Sequence, residues 1–373
     1  MLAYFLRRLL LIVPTLLGIM VLNFAIVQAA PGGPIEQIVA KLHGTDVAAT
    51  ARFSGSAAGE ASVPTGQAFK LNETGGGSTA RYPGAQGVDP ELIKELEQQF
   101  GFDKPLYERF LTMMGNYLRF DFGKSYYSDE SVFHLVVSKM PVSISLGLWT
   151  TLLVYLISIP LGIRKAVRDG TPFDLWTSAA IIVGYAIPSF LFAVLLIVVF
   201  AGGRYLDWFP LRGLVSENWS DLDWPHRILD YFWHIALPVT AMVIGGFASL
   251  TMLTKNAFLD EIGKQYVLTA RAKGLSETRV LYGHIFRNAM LIVIAGFPSA
   301  FIGILFTGAL LIEVTFSLDG MGLLGFEAAI NRNYPVMFGT LYVFTLMGLV
   351  MNILGDLAYV LTDPRIDFEK REG

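Results

Sequence analysis

Two short stretches of this 373-residue chain carry the spelling of nucleotide-binding loops. Gly123-Lys124-Ser125 ends as a phosphate-binding loop ends. That motif needs an earlier glycine at position 118, and the chain has Leu118 there, so the backbone cradle for phosphate is incomplete. Gly320-Met321-Gly322-Leu323-Leu324-Gly325 matches G-x-G-x-x-G letter for letter. A dinucleotide site needs those glycines to follow a strand inside a βαβ unit. Here they join two long apolar runs and are read as a tight turn. The five histidines, His43, His134, His226, His234 and His284, show no metal-ligand spacing. The chain has no cysteine, which excludes disulfides, thiolate metal sites and cysteine nucleophiles. No catalytic constellation remains, so the chain is not read as an enzyme by itself.

The elements that must position any functional residue are membrane helices. Hydrophobic residues make up 53% of the chain and charged residues 16%, against about 25% charged in soluble domains. A spanning helix needs about 20 mostly apolar residues. Six stretches qualify: Leu9–Ala30, Val142–Ile163, Leu175–Ala201, His234–Thr254, Ala289–Glu313 and Val336–Leu361. The N-terminus, loop 164–174, loop 255–288 and the tail 363–373 hold fourteen Lys and Arg, against four in loops 202–233 and 314–335. Basic short loops stay in the cytoplasm, so both termini are expected there. The first apolar run is too long for the core of a cleaved signal peptide and is read as a span. A net charge of -3 gives no reason to expect a nucleic-acid partner.

The external segment 31–141 divides in two. Residues 44–88 are rich in Gly, Ser, Thr and Ala, cannot bury enough apolar surface to offset ordering entropy, and are read as a mobile insertion. Asp89-Pro90-Glu91 signals a helix start. Leu92, Leu96 and Phe100 repeat at helical spacing up to Gly101, and a second helix is expected over Leu106–Leu118. Val132–Val137 leads into Pro141 and the second span.

Ionisable residues inside a bilayer are costly and mark ion pathways. This sequence shows almost none: Glu313 and Asp356 lie toward span ends, and His234 starts one. An ion-coupled carrier would show more, so the driving energy is expected from elsewhere. Glu313 has two readings, a contact for a substrate amine or a helix-end carboxylate bonded to the external loop, and the second is favoured. In the fifth span Ala295, Ser299, Gly303 and Thr307 form a four-residue stripe of small side chains, with Pro298 beside them as a kink or packing notch. Such stripes let helices approach closely. Packing within one subunit and a subunit interface beside a pathway both remain open.

The most informative stretch is 266–279. It reads as a helix, a break at Gly274-Leu275, and a second helix capped by Ser276. Spacing alone leaves a rigid projecting knob and a plain interfacial helix equally open. Thr269-Ala270-Arg271-Ala272-Lys273-Gly274-Leu275 resembles the signature cytoplasmic loop of ABC importer permeases in their dipeptide/oligopeptide form. Other segments agree in order: Arg7-Arg8-Leu9 with Pro14-Thr15-Leu16-Leu17-Gly18, Gly101-Phe102-Asp103-Lys104-Pro105-Leu106, Asp121-Phe122-Gly123-Lys124-Ser125, Ile159-Pro160-Leu161-Gly162, Pro188-Ser189-Phe190, Asn331-Arg332-Asn333-Tyr334-Pro335-Val336 and Asp363-Pro364-Arg365-Ile366. Ala30-Pro31-Gly32-Gly33-Pro34, Phe209-Pro210-Leu211-Arg212-Gly213-Leu214-Val215, Thr251-Met252-Leu253-Thr254-Lys255-Asn256 and the tail Ile366-Asp367-Phe368-Glu369 narrow the resemblance to the microcin C/oligopeptide branch.

The resemblance implies an all-α, six-span type I ABC importer permease in the bacterial inner membrane: span 1–30, external segment 31–141, five-span core 142–362 and cytoplasmic tail 363–373. It further implies that residues 269–275 form the coupling helix seated in an ATPase groove. A second homologous permease, two ATPase domains and a periplasmic peptide-binding protein would complete the machine. ATP and Mg would bind those partner subunits, with no cofactor on this chain. The rival class is an ion-coupled secondary transporter or channel.

Overall fold

The computed structural model describes residues 2–29, 33, 35, 38, 90–99, 102–203, 205–303 and 310–362. The insertion 44–88, Asp89, Gly101 and the tail from Asp363 lie outside the described residues. Thirteen helices are numbered here: α1 (Leu2–Ala29), α2 (Pro90–Gln99), α3 (Leu106–Tyr117), α4 (Val132–Val167), α5 (Pro172–Ala186), α6 (Ser189–Phe200), α7 (Trp224–Ile262), α8 (Gln265–Ala272), α9 (Glu277–Val280), α10 (Phe286–Gly303), α11 (Leu310–Thr315), α12 (Met321–Ile330) and α13 (Tyr334–Thr362). A π-turn over Leu281–Ile285 joins α9 to α10. Among the described residues the only extended pairing is one isolated bridge, Lys124 with Ser131.

Among the described residues five helices are long and apolar enough to cross a membrane, and six spans result when the bent pair α5–α6 counts as one. The expected third span, Leu175–Ala201, is that bent pair, and its halves meet at 89°. The cause is local. Pro188 has no N–H to donate and forces the preceding residue out of the helical region. Ile187 accordingly sits at φ -88°, ψ 116°. Elsewhere the helices outrun the apolar stretches. Helix α4 runs 36 residues through Pro141 and Pro160 and absorbs Val132–Val137. Helix α7 runs 39 residues. Of the expected fifth span the structure describes α10 over Phe286–Gly303, and Glu313 lies in α11 over Leu310–Thr315.

The chain divides into two compact units. One comprises Met1–Ile12, Met140–Gly322 and Phe344–Gly373. Among its described residues one core cluster joins Leu146, Ala193, Ile235, Ala241 and Ile312, and another Ile163, Leu250, Phe258, Val267, Val280 and Ala289. A Cβ built on Gly162 of α4 would stand 2.6 Å from Thr254 Cβ and 2.8 Å from the Thr251 carbonyl oxygen, so α4 and α7 touch at backbone distance. The second unit comprises Val13–Lys139 and Leu323–Val343. Tyr117, Phe122 and Tyr342 stack edge-on at its centre. Asn333 ties its segments together, accepting from Tyr126 N at 3.2 Å and donating to Ser125 Oγ at 2.8 Å. Asn333→Ala removes both bonds across this half-buried segment. It should destabilise this unit by about 1–3 kcal/mol, read as earlier proteolysis of the Ser125–Ser131 segment in detergent.

Candidate functional site

The loop singled out by sequence folds as helix, turn and helix. Helix α8 covers Gln265–Ala272 and α9 covers Glu277–Val280. Gly274 between them has φ +79°, the left-handed conformation that glycine enters at no steric cost. The turn closes with Gly274 N donating to Arg271 O at 2.9 Å. Ser276 occupies the N-cap position with extended backbone, and its carbonyl accepts from Val280 N at 2.9 Å. The expected side-chain cap is not made: the Ser276 hydroxyl forms no capping bond.

One face of this knob is anchored. Val267 and Val280 are fully buried and Ala270 nearly so, packed with Phe258, Ile285 and Ala289. Tyr266 donates to Glu261 Oε2 at 2.6 Å, tying α8 to the last turn of α7. Burial first, and then the Glu261 carboxylate, push the Tyr266 phenol up to about 12, so it remains a donor throughout the physiological range. Arg271 clamps Glu277 with two bonds, Nε to Oε1 at 2.9 Å and Nη2 to Oε2 at 3.0 Å, bracing α8 against α9. The other face points outward. Leu268 is 56% exposed, with Thr269, Arg271, Ala272, Lys273 and Gly274 exposed around it. The loop is thus a compact knob with the apolar Leu268 and the basic Arg271 and Lys273 on its exposed face.

The remaining candidates do not join this loop. On α10, Ala295 is exposed, and a Cβ built on Gly303 would meet no heavy atom within 4 Å. The Ser299 backbone lies in α10, and Thr307 is outside the described residues. Pro298 turns the other way. It is buried, and a Cβ on Gly355 of α13 would fall 2.1 Å from its Cγ. Beside it lies an apolar cavity of about 380 Å³ lined by Tyr155, Met290, Phe297, Pro298, Met351 and Gly355.

Glu313 is fully buried and accepts a bond from Ser143 Oγ at 2.9 Å, while Ser143 Oγ accepts from Met321 N at 2.8 Å. A Cβ on Gly320 would stand 2.2 Å from Glu313 Oε1, and one on Gly322 would stand 3.1 Å from Oε2. The G-x-G spelling thus makes room for a carboxylate beside the turn into α12. The Gly123-Lys124-Ser125 stretch is likewise a turn. Gly123 has φ +74° and Lys124 pairs with Asp129 at 2.7 Å, which holds the Asp129 carboxyl below its usual range.

Sequence reasoning missed a charged cluster at the ends of three helices. Lys165, Asp174 and Lys255 were counted as loop residues, yet α4 runs to Val167, α5 starts at Pro172 and α7 runs to Ile262. All three are buried. The signal was available in Ile163-Arg164-Lys165-Ala166: a basic residue continuing an apolar helical stripe belongs to the helix.

Up to six spans among the described residues, joined by helical loops, fit the membrane-spanning part of a transporter. The chain belongs to the family of binding-protein-dependent transport system inner membrane components, whose model matches residues 158–368. It is a permease subunit of an ABC importer. It is 60% identical to the peptidoglycan transport system permease protein YejB of Agrobacterium fabrum, covering 99% of each chain. It is 58% identical to the inner membrane ABC transporter permease protein YejB of Escherichia coli O157:H7, covering 99% of this chain and 100% of that one. It is 31% identical to the oligopeptide transport system permease protein AppB of Bacillus subtilis, again covering 99% and 100%. Among solved structures, the inward-facing MetNI methionine ABC transporter gives a TM-score of 0.47 at 16% identity, over 62% of this chain and 97% of that chain.

Proposed function

We propose that this chain carries peptides or peptide-like solutes across the bacterial inner membrane by alternating access, driven by ATP hydrolysed on partner subunits. The observation that carries the reading is the knob, anchored through Val267, Ala270 and Val280 and exposing Leu268 among Arg271 and Lys273. It offers a rigid lever to an ATPase, and residues 269–275 are the coupling segment. The complete machine has a second homologous permease, two ATPase domains binding ATP and Mg, and a periplasmic binding protein that delivers the cargo. A relative named for oligopeptide transport supports the peptide class. A relative named for peptidoglycan transport favours a second cargo, a fragment of the peptide-bearing cell wall.

The test is uptake into proteoliposomes holding the complete complex, with ATP inside or outside. Labelled oligopeptides and labelled peptidoglycan fragments are offered separately with the binding protein. ATP-dependent accumulation of either, abolished without ATP, supports the reading. Accumulation driven by a proton or sodium gradient without ATP overturns it.

The stripe on α10 faces the second permease and the pathway in this reading. Its support is the exposed Ala295 and the room for a side chain at Gly303. Cysteines are clean reporters because the chain has none. Cysteines at 299 or 303 should crosslink to the partner permease, with a yield that changes when ATP is trapped. Gly303→Leu should reduce uptake by about tenfold, since small residues set how near two membrane helices come. Labelling of both positions by a lipid-soluble probe, with no crosslink in any nucleotide state, would put the stripe against lipid.

A further inference from the structure

Four charged side chains meet where α4, α5 and α7 end beside the knob. Lys165 of α4 is fully buried. Its ammonium donates to Asp174 O at 2.9 Å, Thr177 Oγ1 at 2.8 Å and Ser178 Oγ at 2.7 Å, using all three N–H groups on α5. Asp174 Oδ1 lies 2.8 Å from the same nitrogen as an ion pair without a hydrogen bond of its own. The other oxygen, Asp174 Oδ2, accepts from Lys255 Nζ of α7 at 2.7 Å and from Gly170 N at 3.4 Å. Lys255 also reaches Asp169 Oδ1 at 2.8 Å. Two ammoniums and two carboxylates cancel in charge. One carboxylate, that of Asp174, bridges lysines from two different helices.

We propose that Lys165, Asp174 and Lys255 form a rigid joint that makes the inner ends of α4, α5 and α7 move as one body when the knob is displaced. They are positioning residues for transport, and this rests on the reading of 269–275 as the coupling segment. The path of the push is continuous. Tyr266 ties α8 to Glu261, and α7 runs about two turns from Ile262 back to Lys255. Lys255 holds Asp174, and Asp174 with its neighbours holds Lys165. A buried pair deprived of one partner leaves an uncompensated charge, so the three ends resist separation along this line. Apolar side chains of the same size would pack as tightly but could slide. Charge-assisted bonds have direction and do not. Arg164 and Arg168 stay out of the cluster, with their guanidiniums over the Phe173 ring at 5.6 and 5.8 Å.

The experiment compares wild type, Lys255→Met and Lys255→Arg in the complete complex in proteoliposomes. Three quantities are read at equal amounts of assembled complex: basal ATP hydrolysis, its stimulation by the binding protein, and peptide taken up per ATP. Lys255→Met should keep basal hydrolysis and lower both stimulation and uptake per ATP by about fivefold or more, the lower end of measured coupling between sites. Lys255→Arg, which keeps the charge, should retain most of both. Wild-type stimulation in Lys255→Met overturns the joint, and so does an equal loss in Lys255→Arg. Should Lys255→Met fail to assemble, Asp174→Asn, which keeps the size of the side chain and removes the charge that bridges the two lysines, replaces it, and unchanged stimulation there overturns the joint as well. If wild type itself imports no peptide, the cargo reading fails, while stimulation by the binding protein still reports on the joint.

Discussion

Gly274→Val should leave the protein in the membrane and cut ATP-driven uptake by about tenfold or more. Gly274 sits at φ +79° between α8 and α9, and a Cβ there would meet nothing within 4 Å. Space is therefore not the obstacle. The backbone is: a left-handed conformation costs an ordinary L-residue about 1–2 kcal/mol, and a β-branched side chain suffers most. Every 1.4 kcal/mol is about a factor of ten in an equilibrium, so Val should empty the competent conformation of the turn. Relaxing it would pull apart the Arg271–Glu277 clamp and reorient the exposed Leu268. Two further substitutions separate backbone strain from bulk. Asn enters the left-handed region more readily than other non-glycine residues. Uptake should rank Gly, Asn, Ala, Val, and retention of the ATPase subunits on purification should follow the same order. A Val variant with full uptake, or an order that follows side-chain size instead, defeats the argument.

That turn was legible because a glycine inside a polar helical pattern has few explanations, and its neighbours repeat a family's motif. The spans were legible for a cruder reason. Lipid demands about 20 apolar residues per helix, and α1 meets that demand with Leu9, Leu10 and Leu22 at least 60% exposed. Hydropathy has no term for geometry, however. It joined α5 and α6 into one span although Pro188 was in view, because an apolar average is unchanged by an 89° bend. It also assigned Lys165 and Lys255 to loops, since a transfer scale counts a lysine as lost to the bilayer whatever Asp174 does for it. Partners distant in sequence are invisible to composition. Glu313 with Ser143, 170 residues away, is the same case. The glycines of G-x-G-x-x-G could be recognised as a turn from sequence, but the carboxylate they make room for could not.

Gly162→Leu should prevent assembly of a stable permease, while Gly18→Leu on α1 should not. Gly162 faces α7 so closely that the first added carbon would lie 2.6 Å from Thr254 Cβ, 2.9 Å from Thr254 Cγ2 and 2.8 Å from the Thr251 carbonyl oxygen. Neither contact can be relieved by rotating a flexible side chain, because one is a Cβ and another is backbone. Both threonines are fully buried, and their hydroxyls are already bonded back to Phe247 O at 2.7 Å and Leu250 O at 2.8 Å. Overpacking of this kind costs about 1–3 kcal/mol for modest additions, the range expected for Gly162→Ala. A leucine adds three more carbons and must force α4 and α7 apart. The separation spreads to a second interaction. Lys255 follows Thr254 directly and Lys165 lies three residues beyond Gly162, so splayed helices would draw the lysines away from Asp174. Stripping a partner from a buried ion pair costs about 3–5 kcal/mol, and the two losses together exceed what a marginally stable assembly tolerates. At Gly18 a Cβ meets nothing within 4 Å, which makes it the matched control. The measurement is the amount of complex recovered from membranes in mild detergent and its melting temperature. Leu at 162 should abolish recovery, Ala should lower the melting temperature by several degrees, and Gly18→Leu should match wild type. Equal recovery of Gly162→Leu and wild type would show that α4 and α7 do not meet at backbone distance in the assembled transporter.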